Sequence, residues 1–283
     1  MSESDVIDQA LQGPGTVGSL SRDLISLGVA EGMVVIAHSS LSSIGWVCGG
    51  AVGVVLALEW ALGADGTLVM PTHSGDLSDP AKWTNPAVPQ AWWQSIRDNM
   101  PAYDPLMTPV RGVGAIPEVF RKQSGVTRSL HPNHSFAAWG RQSEYITTGT
   151  KLDFSMDPDS PLGRLHELDG YVLLLGARHG SNTSLHLAEY LADVDGRSHV
   201  DMFAPVQRHG VRQWARYRDI DLDGDDFEDI GAAFEATGLC RVGKVGNATA
   251  KLMRQRDLVR FAVDWMREQR GKPVPAEGTH QGA

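Results

Sequence analysis

The sequence predicts an α/β fold: one domain with a central mixed, largely parallel sheet flanked by helices. Three observations lead there. Short apolar runs rich in Val, Ile and Leu stand at 33–37, 67–70 and 171–175, the pattern of strands buried on both faces. A helical stretch at 49–62 separates the first two runs, and parallel strands need such a crossover. The 283-residue chain is 42% hydrophobic and 21% charged, enough for a sizeable core and ordinary for a globular chain. One domain over 1–271 is expected, followed by a flexible polar tail at 272–283.

The elements follow in order. Residues 16–27 read as an amphipathic helix because Leu20, Leu24 and Leu27 share a face, and Gly28 supplies its stop. The strand at 33–37 runs into the polar turn His38-Ser39-Ser40-Leu41-Ser42-Ser43, and Asp65-Gly66 turns the chain from the second helix into the strand at 67–70. Residues 76–110 form a loop-rich insertion carrying Trp83, Trp92 and Trp93; so long a loop is usually functional. A short helix is expected at 114–122, with Pro117 near its first turn. The clearest strand, 171–175, breaks at Gly176 and leads through a polar loop into a helix at 182–191. The last third alternates short strands with helices at 227–234 and 248–265.

Net charge is −9, from 25 Lys plus Arg against 34 Asp plus Glu. That balance argues against nucleic acid and favours a cationic partner. Cys48 and Cys240 fit no disulfide or zinc framework and suit a reducing compartment. Residues 1–5 lack a basic-then-apolar leader pattern, and no stretch approaches the roughly 20 apolar residues that span a bilayer. A cytoplasmic protein with no membrane partner is expected.

Ligand sites in parallel units gather at the carboxyl ends of strands, here at His38-Ser39-Ser40 and Pro71-Thr72-His73-Ser74. The sharpest motif is Asn182-Thr183-Ser184-Leu185-His186-Leu187-Ala188-Glu189. Residues Ser181 to Thr183 are good N-caps, and the three-residue spacing puts His186 and Glu189 on one helix face. The glutamate can hold one tautomer and stabilise the protonated ring, while the positive helix end favours the neutral form. Such a pair is suited to general-base work, although surface His–Glu pairs at this spacing are also common. A helix beginning near Gly49-Gly50 would add N-terminal donors for a phosphate or pantetheine amide.

Other patterns carry less. Residues 238–244 have phosphate-loop spacing, but Val245 stands where a hydroxyl should hold magnesium. Gly112-Val113-Gly114 has Pro117 at the place of the third glycine of a dinucleotide fingerprint. His131 and His134 could ligate a metal, but Pro132 and the want of a companion carboxylate–His set argue against it.

Taken together, the motifs resemble the aminoglycoside 3-N-acetyltransferase (antibiotic N-acetyltransferase) family over about 19–265. The matching stretches are 38–45, Val69-Met70-Pro71-Thr72, Asp104-Pro105, 108–114, His131-Pro132-Asn133-His134-Ser135, 159–163, 173–176 and 182–189. The resemblance implies a fold distinct from the smaller acetyltransferase domain of many histone and amino-acid acetylases. It implies acetyl-CoA as donor and the 3-amino group of a 2-deoxystreptamine antibiotic as acceptor, with antibiotic resistance as the outcome and no metal. By carry-over, His186 is the base, Glu189 its supporting carboxylate, and His38 shares their site. Ser39, Ser40, Leu41, Ser43, Thr72, Arg111, Gly112 and Val113 would line the donor pocket. Thr72, a serine hydroxyl or backbone N–H groups would meet the developing oxyanion. A polycationic acceptor calls for carboxylates, and Asp104, Asp157, Asp159 and Glu228 are candidates. A homodimer is an open expectation.

Competing readings are acetylation of a different amine, covalent acyl transfer through Cys48 beside a helix start, a metal-dependent hydrolase drawing on the ten histidines, and a non-catalytic CoA-binding module.

Overall fold

In a computed structural model the described residues are 13–194 and 198–271, so the tail expected at 272–283 lies outside them. Helix α1 (Val17–Leu27) is capped by Thr16 and buries Leu20, Leu24 and Leu27, as its periodicity demands. It leads to β1 (Val34–Ser39), a one-turn helix α2 (Leu41–Ile44), α3 (Gly50–Leu62) and β2 (Thr67–Pro71). The insertion holds a short helix, α4 (Trp93–Asn99), and is followed by α5 (Ala115–Phe120), β3 (Thr127–Arg128), β4 (Phe136–Gly140), α6 (Ser143–Thr147) and α7 (Pro161–Glu167). Then come β5 (Tyr171–Leu175), α8 (Ser184–Ala192), the hairpin β6 (His199–Arg208) and β7 (Val211–Ile220), and α9 (Phe227–Glu235). The chain closes with β8 (Cys240–Val245), β9 (Ala248–Arg254) and α10 (Gln255–Gln269).

Seven strands form one mixed sheet in the order β3-β4-β2-β1-β5-β9-β8. Its centre is parallel: β1 pairs with β2 on one side and β5 on the other. The outer pairs are antiparallel. Leu68, Val69, Val172, Leu173 and Leu174 are buried on both faces, which is why these runs lack polar alternation. One face packs on α1 and α3 through Leu20, Leu24, Leu58 and Leu62. The other packs on α7 to α10 through Leu165, Leu185, Phe234 and Leu258. Crossovers thus leave β1 and β5 toward opposite faces, and their carboxyl ends frame a crevice.

One element departs from expectation. Residues 248–254 are strand β9, not the start of a helix, and α10 begins only at Gln255. Ala248, Ala250 and Leu252 are buried at a period of two, and β9 pairs with β5 and β8 on its two sides. Tertiary pairing overrides the helix preference of Ala, Lys, Leu and Met.

The insertion is anchored on the hairpin: Tyr103 N–H donates to Pro205 O at 3.0 Å, Arg212 Nε to Met100 O at 2.6 Å and Lys82 Nζ to Asp201 O at 3.0 Å. The hairpin turns at His209-Gly210, both at positive φ (51° and 76°), as a two-residue primed turn requires.

Candidate functional site

The carboxyl ends of β1, β2 and β5 open on a cavity of about 770 Å³. Its walls include His38 to Ser42, Pro71 and His73, the 111–115 loop, His134, Gly180 to Thr183, and His186. Gly176 lets β5 leave the sheet: its φ is 68°, and a Cβ there would lie 2.6 Å from Ser43 Cβ. The chain then turns through 179–181 and enters α8. Thr183 sits at the N-cap without a side-chain cap bond, and Asn182 Oδ1 instead accepts from Ser184 N–H at 3.3 Å.

His186 faces the cavity with its Nδ1 2.6 Å from Glu189 Oε2. Glu189 is fully buried, whereas the His186 side chain keeps 20% exposure. The other carboxylate oxygen accepts from Arg270 Nη1 at 2.7 Å and Asp223 N–H at 3.1 Å. Burial, the largest single influence, would raise Glu189. The hydrogen bonds from His186, Arg270 and Asp223 together outweigh it and hold the carboxyl below its ordinary range. An ionised carboxylate only accepts, so Nδ1 carries a proton toward it, and in the neutral ring Nε2 keeps a lone pair. Phe227 packs against the ring at 4.7 Å between centroids and fixes its plane.

His38 lies behind this pair, buried, with Nε2 3.4 Å from Thr183 Oγ1. Burial first, and then repulsion from His186, push it down to about 3, so it is neutral. His73 is likewise driven well below the usual histidine value by burial and by the surrounding rings. This floor disfavours positive charge.

Ser39, Ser40, Leu41, Arg111, Gly112 and Val113 all line the cavity. Ser39 Oγ and Asn182 Nδ2 are buried there without a hydrogen-bond partner, and buried polar atoms left unpaired by protein mark ground for a ligand. Ser43 stands behind the lining and donates to Ser40 Oγ at 2.9 Å. Thr72 is also behind it; its hydroxyl accepts from Arg128 Nε at 3.1 Å. The Arg111 loop is held by Arg111 N–H on His73 O at 2.7 Å and by Val110 N–H on Glu118 at 3.0 Å. Gly49 and Gly50, at the start of α3, are not among the lining residues. Cys48 is exposed and away from the lining.

The four acidic candidates have local partners. Asp104 Oδ1 caps a turn, accepting from Leu106 and Met107 N–H at 2.8 Å each. Asp157 Oδ1 accepts from Asp159 N–H at 2.9 Å, and Asp159 pairs with Lys151. Glu228 accepts from Gly180 N–H at 2.8 Å and pairs with Arg178 at 3.3 Å. Only Glu228 thereby touches a lining residue, and none of the described lining residues is an Asp or Glu.

His131 Nδ1 accepts from His134 N–H at 2.9 Å and its Nε2 donates to Leu152 O at 3.0 Å. Nδ1 is spent on the 131–134 turn and Nε2 on tying it to Leu152, which leaves neither for a metal. His73 lines the cavity at the strand end where the sequence placed a ligand site; the cavity places of His134 and Asn182 and the support from Arg270 were missed. Asn182 lay inside the motif already singled out; nothing local marks Arg270.

A cleft at a strand-order reversal, carrying an imidazole oriented by a buried carboxylate, defines an α/β enzyme. Residues 36–267 match the family model described as aminoglycoside 3-N-acetyltransferase, and the chain belongs to that family of acyltransferases. It is 46% identical over 253 residues to the SPbeta prophage-derived aminoglycoside N(3')-acetyltransferase-like protein YokD of Bacillus subtilis (strain 168), covering 89% of this chain and 92% of that one. It is 39% identical to aminoglycoside N(3)-acetyltransferase VII of Streptomyces paromomycinus, covering 92% and 94%. The crystal structure of YokD superposes with a TM-score of 0.90 at 44% identity, covering 92% of this chain and 96% of that one. An AAC-IIIb binary complex with CoASH gives 0.82 at 32% identity, covering 92% and 99%. AAC-VIa bound to sisomicin gives 0.82 at 31%, covering 90% and 98%.

Proposed function

We propose that this protein acetylates the 3-amino group of a 2-deoxystreptamine aminoglycoside with acetyl-CoA, by direct attack with His186 as general base, and so confers resistance to such antibiotics. The observation that carries the reading is the 2.6 Å His186–Glu189 contact, which leaves the Nε2 lone pair on the cavity side. The relatives solved with CoASH and with sisomicin support the two substrate classes.

Bound acetyl-CoA supplies the acyl group as a thioester. Ser39 Oγ and Asn182 Nδ2, unsatisfied by protein, fit its amide and carbonyl groups, together with the backbone of the Arg111 loop. The amine must be neutral to attack. Nε2 of His186 takes the proton that the nitrogen sheds as it bonds to the acyl carbon, and the imidazolium returns it to sulfur as the C–S bond breaks. Glu189, ionised and buried, stabilises that imidazolium and keeps the ring from rotating.

His186→Ala should lower kcat on the order of 10²–10⁴-fold while acetyl-CoA affinity stays within about threefold, read by thiol release and calorimetry. Wild-type turnover in the variant would refute the base assignment. One observation favours a second reading, acetylation of a less highly charged amine: no carboxylate lines the cavity among the described residues. An amine panel that includes aminoglycosides lacking the 3-amino group separates the two.

A further inference from the structure

His134 lines the same cavity as His186 but arrives from the other side of the sheet centre. It stands just before β4, whose Phe136 is paired with Pro71 at the end of β2. Its Nδ1 is 2.7 Å from Ser155 Oγ, and Ser155 Oγ in turn donates to Asp219 Oδ2 at 2.7 Å. Asp219 is buried on β7 and also accepts from Ser155 N–H at 3.2 Å, Ile220 N–H at 2.9 Å and the Tyr190 hydroxyl. With four donors converging on it, this carboxyl group acts purely as an acceptor.

The direction of the chain follows. Ser155 has one hydroxyl proton and gives it to Asp219, so Ser155 must accept from His134. Nδ1 of His134 therefore carries the proton, and Nε2, on the opposite edge of the ring, is an acceptor with no hydrogen-bond partner among the described residues. The ring cannot turn to spend it elsewhere: His131 stacks on it at 5.5 Å and 3° between planes, and His73 meets it edge-on at 5.5 Å. Holding an imidazole in one tautomer by a serine, a buried aspartate and a tyrosine costs polar groups that a merely packed side chain would not need.

We propose that His134 Nε2 is a substrate-binding acceptor that takes a hydrogen bond from an N–H or O–H group of the acceptor amine beside the reacting nitrogen. The ligand class is a polyamine or amino sugar that presents a second donor next to its nucleophile. The inference rests on the acetyltransferase reading of this cavity. His134 thus orients the acceptor from one wall while His186 acts on it from the other.

The test uses the full chain with acetyl-CoA and sisomicin in a thiol-release assay, and calorimetry of sisomicin binding to protein saturated with CoASH. His134→Phe keeps the ring's bulk and removes the acceptor. It should raise the sisomicin KM and weaken calorimetric binding about five- to tenfold, with the acetyl-CoA KM within about twofold of wild type. His134→Gln, which restores an acceptor, should recover part of the loss. Ser155→Ala, which frees the tautomer, should raise the sisomicin KM without changing that for acetyl-CoA. Equal sisomicin affinity in wild type and His134→Phe overturns the proposal while the acetyltransferase reading stands. A parallel loss of acetyl-CoA binding also overturns it, by showing a structural role. Wild-type protein that neither binds nor acetylates any amine removes the acetyltransferase reading and this contact together.

Discussion

Replacing Glu189 by Gln should damage catalysis through a proton's position more than through a lost charge. Among the described residues three donors converge on this carboxylate: His186 Nδ1 at 2.6 Å on one oxygen, and Arg270 Nη1 at 2.7 Å with Asp223 N–H at 3.1 Å on the other. A carboxamide has a single oxygen. Two donors, one of them a guanidinium, draw it to the Arg270 side, which turns the NH₂ group toward His186. Nδ1 must then accept, the ring proton moves to Nε2, and the lone pair that faced the cavity is gone. Loss of a charge-assisted hydrogen bond alone is worth about 1.5–3 kcal/mol, whereas a wrong histidine tautomer in a serine-protease triad costs about 10⁴-fold. The expected fall in kcat therefore lies between about 10²- and 10⁴-fold, measured by thiol release at saturating acetyl-CoA and acceptor. Arg270→Met leaves the tautomer intact and should cost less than about tenfold. A Glu189→Gln enzyme with kcat within about threefold of wild type would refute the tautomer argument, provided denaturant unfolding shows both proteins folded.

Cys48→Ala should turn over within about twofold of wild type, since the thiol is exposed and off the cavity; a stalled variant would instead demand a covalent acyl-enzyme. Acid should destabilise the fold early. Burial above all pushes His38 and His131 down to about 3 and His134 to about 4, so below about pH 6.5 the unfolded chain takes up protons that the native one refuses. Stability is then lost with falling pH, by up to about 1.4 kcal/mol per unit for each ring until its own folded value is reached. Urea midpoints at pH 8, 6 and 5 check this, and a flat series would contradict it. Gly163→Ala should lower the midpoint by the equivalent of about 1–3 kcal/mol, because a Cβ there would stand 1.8 Å from the Pro158 carbonyl oxygen.

The parts of this protein that were legible in its sequence are those whose cause is local. A run such as Tyr171–Leu175 reads as a strand because every residue needs burial, and His186 and Glu189 meet because three residues make a helical neighbour. Residues 248–254 misled because their composition favours a helix, while the decision lay with two partner strands far away in sequence. Arg270 is 81 positions from Glu189, and the Ser155–Asp219 link spans 64; no spacing rule reaches so far. His134 was weighed in the sequence only as half of a metal pair with His131, and discounted, so its place in the cavity went unread. Only the fold shows His131 spending one nitrogen on its own turn and the other on Leu152 O, 21 residues away.

The acidic candidates failed to gather at the cavity for a reason that the electrostatics make plain. A net charge of −9 attracts a polycation from a distance, but a carboxylate beside the reacting nitrogen would hold it as an ammonium that cannot attack. The cavity does the opposite: the burial that keeps His38, His73 and His134 neutral also disfavours an ammonium among them. On the proposed function, attraction and activation are therefore separated in space. The acidic surface serves the charged groups of the acceptor, and the neutral floor lets one amine give up its proton to His186. Placing a carboxylate on that floor, as in Pro71→Glu or Ser42→Asp, should accordingly tighten amine binding while lowering kcat, a split that calorimetry and thiol release would read separately. A rise in both would show that capture of the cation, and not its deprotonation, limits the reaction.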